Sequence, residues 1–391
     1  SGQPETEAAK LIVVPWRSEI SFETALCAAK SWFNRVRLVL QLPPAAITDS
    51  WLKPGTAQGC TFEPLLDADS LLKEAAAMHN CVGALNLDPG DEIIVTPWTS
   101  GGSIIGSIMR GCVPIFADVD DTYTLDPKDV EAKITPRTRA VILVHLFGRP
   151  ADLSGITALC AAHNLTLIED CCQAHAAEYH GRKVGTFGAF GCFSLQQSKQ
   201  ITCGDGGITL VNQPEYAERA LLFADKGWSR QHGRRHLFLG MNYRMTELQA
   251  AVAREQLRKL PRLVARRREM AAMLCGLLSQ IRGIIPPLVP PETSCSWWIY
   301  NFAIDENILG VSTDAFYDAL CTEGASVSRR YLPGPVFGYE VLTEQNTYGR
   351  SGYPFSAAAG YEAPRIADYP GFMDFHNRQM TTMWSHNVRP G

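Results

Sequence analysis

The chain has 391 residues, 46% hydrophobic and 19% charged, with a formal net charge of -4. This is ordinary globular composition, long enough for two domains, and its mild acidity argues against a nucleic-acid or anionic-membrane partner. No apolar run reaches the roughly 18 residues of a membrane span, and the polar start SGQPETEAAK lacks a signal-peptide core, so a cytoplasmic protein is expected.

Residues 38–68 carry no readable pattern. From about residue 90 the order becomes regular. DEIIVTP is a short apolar strand after a PGD turn, SIIGSIMRG a helix ending in glycine, and VPIFADV a second strand. LDPKDVEAKI is a helix opening at a proline-bearing turn, and RAVILVHLFG a third, very apolar strand. LSGITALCAAHN is an amphipathic helix and LTLIEDCC a fourth strand. Strands alternating with helices predict crossover connections and a mostly parallel α/β sheet, and strands this apolar are covered on both faces. Near residue 246 the pattern changes. MTELQAAVAREQLRKL opens with a capping box, Thr246 and Gln249, and Pro261 is expected to kink or split the long helix that follows. The run ARRRE at 265–269 reads as a solvated helix face. SWWIYNFAI is strand-like, with Trp297 and Trp298 as core, and STDAFYDALCTEG is helical. The expected division is a large α/β domain at 1–255 and a smaller α+β domain at 256–391.

Twelve cysteines are present, with Cys171 and Cys172 adjacent and Cys27, Cys60, Cys81, Cys112, Cys160 and Cys192 in apolar or helical stretches. No CxxC pair or metal-ligand spacing stands out. They read as small buried hydrophobes in a reducing compartment, and no metal is expected.

The chemistry concentrates in two places. LIEDCCQAH puts Asp170 at the carboxyl end of a strand, where ligands gather in open α/β sheets. AFGCFSLQQSKQITCGDGG sets Lys199 between small polar residues and a glycine cluster, and a lysine held near a carbonyl is a covalent catalyst. Asp170, Gln173, Ser194 and Lys199 follow in that order after the α/β run.

The stretch from HLFGRPADLSGI through IEDCCQAH, VGTFGAFGCFSLQQSKQITCGDGG and GMNYRMTELQAA resembles the DegT/StrS-type sugar and aminocyclitol aminotransferases, which are fold-type-I pyridoxal-phosphate enzymes. The likeness runs from about 88 to 260, and more loosely to NTYGRSGYPF. The QQSK wording is similar to the branch acting on keto-inositols and to aminohydroxybenzoate synthases. The resemblance implies pyridoxal 5'-phosphate as cofactor and glutamine or glutamate as amino donor to a keto-sugar or keto-cyclitol. Elimination with aromatisation, or a catalytically impaired partner subunit, are its alternatives. It implies that Lys199 binds the cofactor covalently and shuttles a proton, and that Asp170 pairs with the pyridine nitrogen. Gln173 would bond the ring 3-oxygen and Ser194 the phosphate. Asn242 would reach the phosphate of a neighbouring subunit, in a homodimer with shared active sites. Arg244 is expected either to bind a substrate anion or to pair with a carboxylate; Tyr331, Arg329 and Arg330 are expected to line the substrate pocket or to form a loop salt bridge; and His145 and His175 are expected to support the site.

Two departures accompany the resemblance. The Gly-Thr turn that seats the phosphate is missing, and with a short insertion Asp69-Ser70 takes its place, leaving Ser70 to give a hydroxyl. The position of a stacking aromatic ring is Gly101, and Trp98 would substitute only in a remodelled loop. The resemblance also implies a final helix past MWSHNVRPG, where this sequence stops.

Overall fold

The structure is a computed structural model that describes Leu40–Gln41 and residues 73–383. A seven-stranded sheet forms its centre. Its strands are β1 (Leu40–Gln41), β2 (Glu92–Val95), β3 (Val113–Phe116), β4 (Thr138–Val144), β5 (Thr166–Asp170), β6 (Phe190–Ser194) and β7 (Gly207–Val211). They lie in the order β1-β7-β6-β5-β4-β2-β3. Neighbours pair parallel except β6 with β7, which is antiparallel. The near-continuous apolar runs of β2 and β4 to β6 are buried on both faces, as their composition demands.

Helices α1 (Lys73–Leu85), α2 (Gly102–Met109), α3 (Pro127–Ala132), α4 (Leu153–Ala162) and α5 (Pro214–Ala224) flank the sheet. α1 packs on α2, α5, β6 and β7. The chain moves outward from β2 to β3 and then returns to place β4 on the other side of β2. That reversal is the topological switch point, where ligands bind in open α/β sheets.

The predicted capping box opens α6 (Glu247–Leu278) through Thr246 and Gln249. The helix runs unbroken through Pro261, contrary to the expected split. Proline removes one backbone bond, but Leu260 and Val264 on either side are buried in the core beneath the large sheet. Further on, Ala271 of the same helix belongs to a second core. The 255/256 boundary therefore falls within a helix that joins two cores. The second core lies under a four-stranded antiparallel sheet of β8 (Ile284–Ile285), β9 (Ile299–Ile304), β10 (Ser328–Arg329) and β11 (Gln379–Met383), ordered β8-β9-β11-β10. Helices α7 (Thr313–Thr322) and α8 (Pro370–Arg378) complete this part, and Phe372 and Phe375 of α8 join the large core.

The basic run at 265–269 is not a solvated face. Arg267 is buried and donates to the carbonyls of Trp297 (3.0 Å) and Trp298 (3.3 Å). Arg268 donates to Cys295 O at 2.8 Å and Ala176 O at 3.1 Å. Two of the three arginines thus tie α6 to the segment leading into β9, and burial lowers the Arg267 pKa to about 10. Trp297 and Trp298 are buried, as expected. Cys81, Cys112, Cys160, Cys171, Cys172 and Cys192 are buried free thiols, whereas Cys27 and Cys60 lie outside the described residues. Among the described residues, no helix is long and apolar enough to cross a membrane.

Candidate functional site

Asp170 ends β5 in the middle of the sheet, opposite Val144 of β4 and Cys192 of β6. Its carboxylate is buried, and hydrogen bonds fix it on both oxygens. The Ser103 hydroxyl donates to Oδ2 at 2.6 Å, and the Cys172 backbone N–H donates to Oδ1 at 3.1 Å. Thr99 Oγ1 lies 2.6 Å from Ser103 Oγ. A serine hydroxyl has one proton, and Asp170 takes it, so Thr99 is the donor in that second bond. The relay Thr99 to Ser103 to Asp170 runs from the start of α2, after β2, to the end of β5. It spans the switch point. Sequence reasoning missed Ser103; the signal was a hydroxyl pair spaced four apart just past a strand end.

One step below Asp170 lies a second buried network. His145 Nδ1 accepts from the Ala151 N–H at 3.0 Å, so its proton sits on Nε2, 3.1 Å from Glu169 Oε2. Glu169 also accepts backbone N–H bonds from Gly185 (2.7 Å), Phe187 (2.6 Å) and Gly188 (2.8 Å). His145, Glu169 and Cys171 are close enough to suggest a metal centre. Both imidazole nitrogens and both carboxylate oxygens are already engaged, however, so the arrangement is a hydrogen-bonded support, the role expected for His145.

Gln173 sits one turn past Asp170. The Phe147 N–H donates to its Oε1 at 2.7 Å, which fixes the amide, and its Nε2 donates to Tyr331 OH at 3.1 Å. Phe147 is held in a tight left-handed turn with Gly148 (φ 89). A Cβ on Gly148 would come within 2.7 Å of Ser296 Oγ and Trp297 N, so only glycine fits there. Tyr331 meets Phe147 and Trp298 edge-on.

Lys199 is 7% exposed, with Nζ 4.3 Å from the centre of the Trp298 ring. Trp298 Nε1 donates to Ser198 O at 2.7 Å, so the tryptophan both underlies the lysine and ties down its loop. The sequence marked Trp298 only as core. Burial and the nearby Lys199 charge push His175 down to about 3, so it stays neutral. Its Nδ1 is 3.1 Å from Gln200 Oε1, and Gln200 Nε2 donates to Gln173 O at 2.6 Å. Ser194 ends β6 fully buried, its Oγ accepting weakly from the Gln196 N–H at 3.4 Å. Lys199, Asp170, Gln173, Ser194 and Tyr331 are thus gathered around the ends of β5 and β6.

Arg244 and Trp98 are placed away from this cluster, as is Asn242, which is expected to serve a neighbouring copy. Asn242 and Arg244 lie on an exposed segment, bonded to each other: Arg244 Nε donates to Asn242 Oδ1 at 2.8 Å. Trp98 is fully buried, enclosed by Tyr123, Phe147, Phe372 and Phe375. It is a core ring behind Phe147, not a pocket-lining one, because the loop after β2 turns it inward. Gly101 precedes α2, and among the described residues only Ile105 lies near the position of a Cβ. Ser70 lies outside the described residues. Arg329 forms an ion pair with Asp314.

The DegT/DnrJ/EryC1/StrS aminotransferase family matches residues 73–379. An L-glutamine:2-deoxy-scyllo-inosose aminotransferase from Streptomyces kanamyceticus is 38% identical over 273 residues, 66% of this chain and 64% of that protein. The spore coat polysaccharide biosynthesis protein SpsC of Bacillus subtilis is 29% identical over 86% of each chain. Against the leading curated relatives, the chain spans 59–64% of their length. Among solved structures, S. venezuelae DesV superposes with a TM-score of 0.69 at 31% identity, covering 80% of this chain and 77% of the other. The 3-amino-5-hydroxybenzoic acid synthase gives a TM-score of 0.66 at 26% identity, covering 80% and 79%. The chain belongs to the DegT/DnrJ/EryC1/StrS aminotransferase family.

Proposed function

We propose that this protein uses pyridoxal 5'-phosphate to move an amino group from glutamine, or glutamate, to a keto-cyclitol or keto-sugar. The keto-inositol reading follows the two 2-deoxy-scyllo-inosose aminotransferases, which are 38% and 39% identical to this chain. One observation carries the proposal: a buried lysine, a buried carboxylate fixed by two donors, and an oriented amide follow the carboxyl ends of the neighbouring strands β5 and β6.

That donor set fits the cofactor. The Lys199 amine, shielded from water against Trp298, suits a covalent bond to an aldehyde. The Asp170 carboxylate, held by Ser103, suits a protonated pyridine nitrogen. Because Phe147 fixes Oε1 of Gln173, the Nε2 side faces outward and has a second N–H for a ring oxygen. The Ser194 hydroxyl suits a phosphate oxygen, and Asn242 serves the phosphate of a second copy. When bound, the cofactor supplies an electron sink for the bond to be broken.

The chain's own groups do the rest. Lys199 takes a proton from the donor's Cα and returns it during transfer. Asp170 keeps the ring nitrogen charged, and neutral His175 beside Lys199 adds no competing charge. Tyr331, bonded to Gln173, forms the substrate-side wall. The exposed placement of Asn242 and the exposed apolar side chains Leu239, Leu248 and Val252 support a homodimer.

The test is spectroscopic. Adding pyridoxal phosphate should give a yellow protein, and borohydride should fix the label on Lys199. In a separate, unreduced sample, glutamine should bleach the visible band. A protein that stays colourless overturns the reading; colour without a glutamine response favours other cofactor chemistry.

A further inference from the structure

The segment carrying Asn242 is unusually well tied down for an exposed stretch. It runs antiparallel to the end of α5: the Met241 N–H donates to Phe223 O at 2.7 Å, the Tyr243 N–H to Ala224 O at 2.9 Å, and the Lys226 N–H to Met241 O at 2.7 Å. Asp225 and Asn242 form an antiparallel bridge. A Cβ on Gly240 would sit 2.6 Å from Gly227 N, so the two backbones touch where only glycine fits.

Beneath the segment, Tyr243 is buried with its hydroxyl 2.7 Å from His79 Nδ1 on α1. Burial, with the Arg110 charge, lowers His79 to about 4, and burial raises Tyr243 to about 12. Over the working range both groups are therefore neutral, and one hydrogen bond joins phenol and imidazole. Both rings also pack on Phe223.

On the outer side, Arg244 donates from Nε to Asn242 Oδ1 at 2.8 Å. It lies 3.5 Å from Oδ1 of Asp225, a buried carboxylate that Lys226 also contacts at 2.6 Å. This settles which way the amide points. A flipped Asn242 would set N–H against N–H, so Oδ1 faces Arg244 and Nδ2 faces away.

We propose that Asp225, Arg244 and the Tyr243–His79 pair are positioning residues that hold the Asn242 Nδ2 donor outward for an anionic oxygen of the cofactor phosphate bound in a second copy of the chain. The inference rests on the reading of Asn242 given above. Of the two readings of Arg244, it takes the pairing with a carboxylate, here Asp225.

The test compares binding of pyridoxal phosphate with that of pyridoxal, which lacks the phosphate, by absorbance titration of the full chain. Asn242→Ala should weaken pyridoxal phosphate about tenfold, the loss of one charge-assisted hydrogen bond, and leave pyridoxal unchanged. Arg244→Gln and Tyr243→Phe should each weaken it by about three- to tenfold, again with no change for pyridoxal. The Asn242→Ala/Arg244→Gln double variant should bind no worse than Asn242→Ala alone, because Arg244 acts only through the amide. Arg244 is half-exposed, so its variant keeps the test open even if Tyr243→Phe misfolds. Loss from Asn242→Ala with none from Arg244→Gln, or additive losses, overturns the positioning role alone. No loss from Asn242→Ala overturns the cross-subunit reading as well.

Discussion

Ser103→Ala removes one hydroxyl from the place where the structure gives it most to do. Ser103 and Thr99 are fully buried and Asp170 is 2% exposed, so water does not replace the lost donor. The Ser103–Asp170 bond is 2.6 Å long and ends on a charge, which makes it worth about 1.5–3 kcal/mol net. Thr99 loses its acceptor at the same time, at a further cost of about 1 kcal/mol. The expected loss of stability is therefore roughly 2.5–4 kcal/mol, read as a lower urea midpoint at constant slope. The Cys172 N–H still holds the other oxygen. If the orientation lost is felt fully in the transition state, the glutamine half-reaction slows by about 10- to 100-fold, at 1.36 kcal/mol per factor of ten. Ser103→Thr keeps the hydroxyl and should recover most of both effects. The measurements are urea unfolding and single-turnover absorbance with glutamine. A variant within 0.5 kcal/mol of the parent in stability, or within about twofold in half-reaction rate, would refute the assigned weight of this bond.

Three other outcomes are expected. Glu169→Gln replaces one acceptor oxygen with an amide that faces two donors, whichever way it turns, since Oε1 takes Phe187 and Gly188 while Oε2 takes Gly185 and His145. It should cost about 3 kcal/mol or more in chemical unfolding, and a change below 1 kcal/mol would contradict the network. Tyr331→Phe loses the 3.1 Å bond from Gln173 and should weaken acceptor or cofactor binding by only about 0.5–1.5 kcal/mol, measured as separate KM and kcat effects. Finally, His79, His175 and His376 have folded pKa values near 4, 3 and 4 and an ordinary value of 6.5, so between them the unfolded chain binds more protons. Stability then falls as pH drops below about 6.5, by roughly 3–4 kcal/mol per pH unit near pH 5.5 for three histidines, and a flat profile from pH 7 to 5 would disprove their burial as neutral rings.

Much of this was legible in the sequence, for physical reasons that can be named. RAVILVHLFG became Thr138–Val144 because a buried parallel strand needs apolar residues on both faces, and LTLIEDCC became Thr166–Asp170 for the same reason. Thr246 and Gln249 marked the start of a helix because a capping box is a local device that needs no tertiary partner. Asp170 and Lys199 stood out by position and setting. What escaped was whatever depended on distant partners. Arg267 and Arg268 looked solvated because the carbonyls of 294–298 that receive them are some 30 residues away in the chain. Trp98 looked available because nothing local announces Phe372 and Phe375 closing over it. Pro261 looked like a break because the burial of Leu260 and Val264 that keeps the helix whole is tertiary.

The same distinction explains how the site holds its shape. Asp170, Gln173, Ser194 and Lys199 come from strand ends and loops, which are the least constrained parts of an α/β fold. Left to themselves, such residues would wander by more than the ångström that proton transfer tolerates. Three of them are instead tied to another element: Asp170 to α2 through Ser103, Gln173 to the turn at Phe147 and to Tyr331, and the Lys199 loop to Trp298 before β9. Glu169, the neighbour of Asp170 in β5, collects three backbone donors from the 185–188 turn and anchors the strand end itself. Trp298 and Tyr331 belong to the segments beside the small sheet yet pack in the large core, so the chain of the small sheet supplies part of that core. A change in how that sheet sits on the large one must therefore move the floor under Lys199, and substitutions in β9 or α6 far from the lysine are expected to register at the cofactor before they register in overall stability.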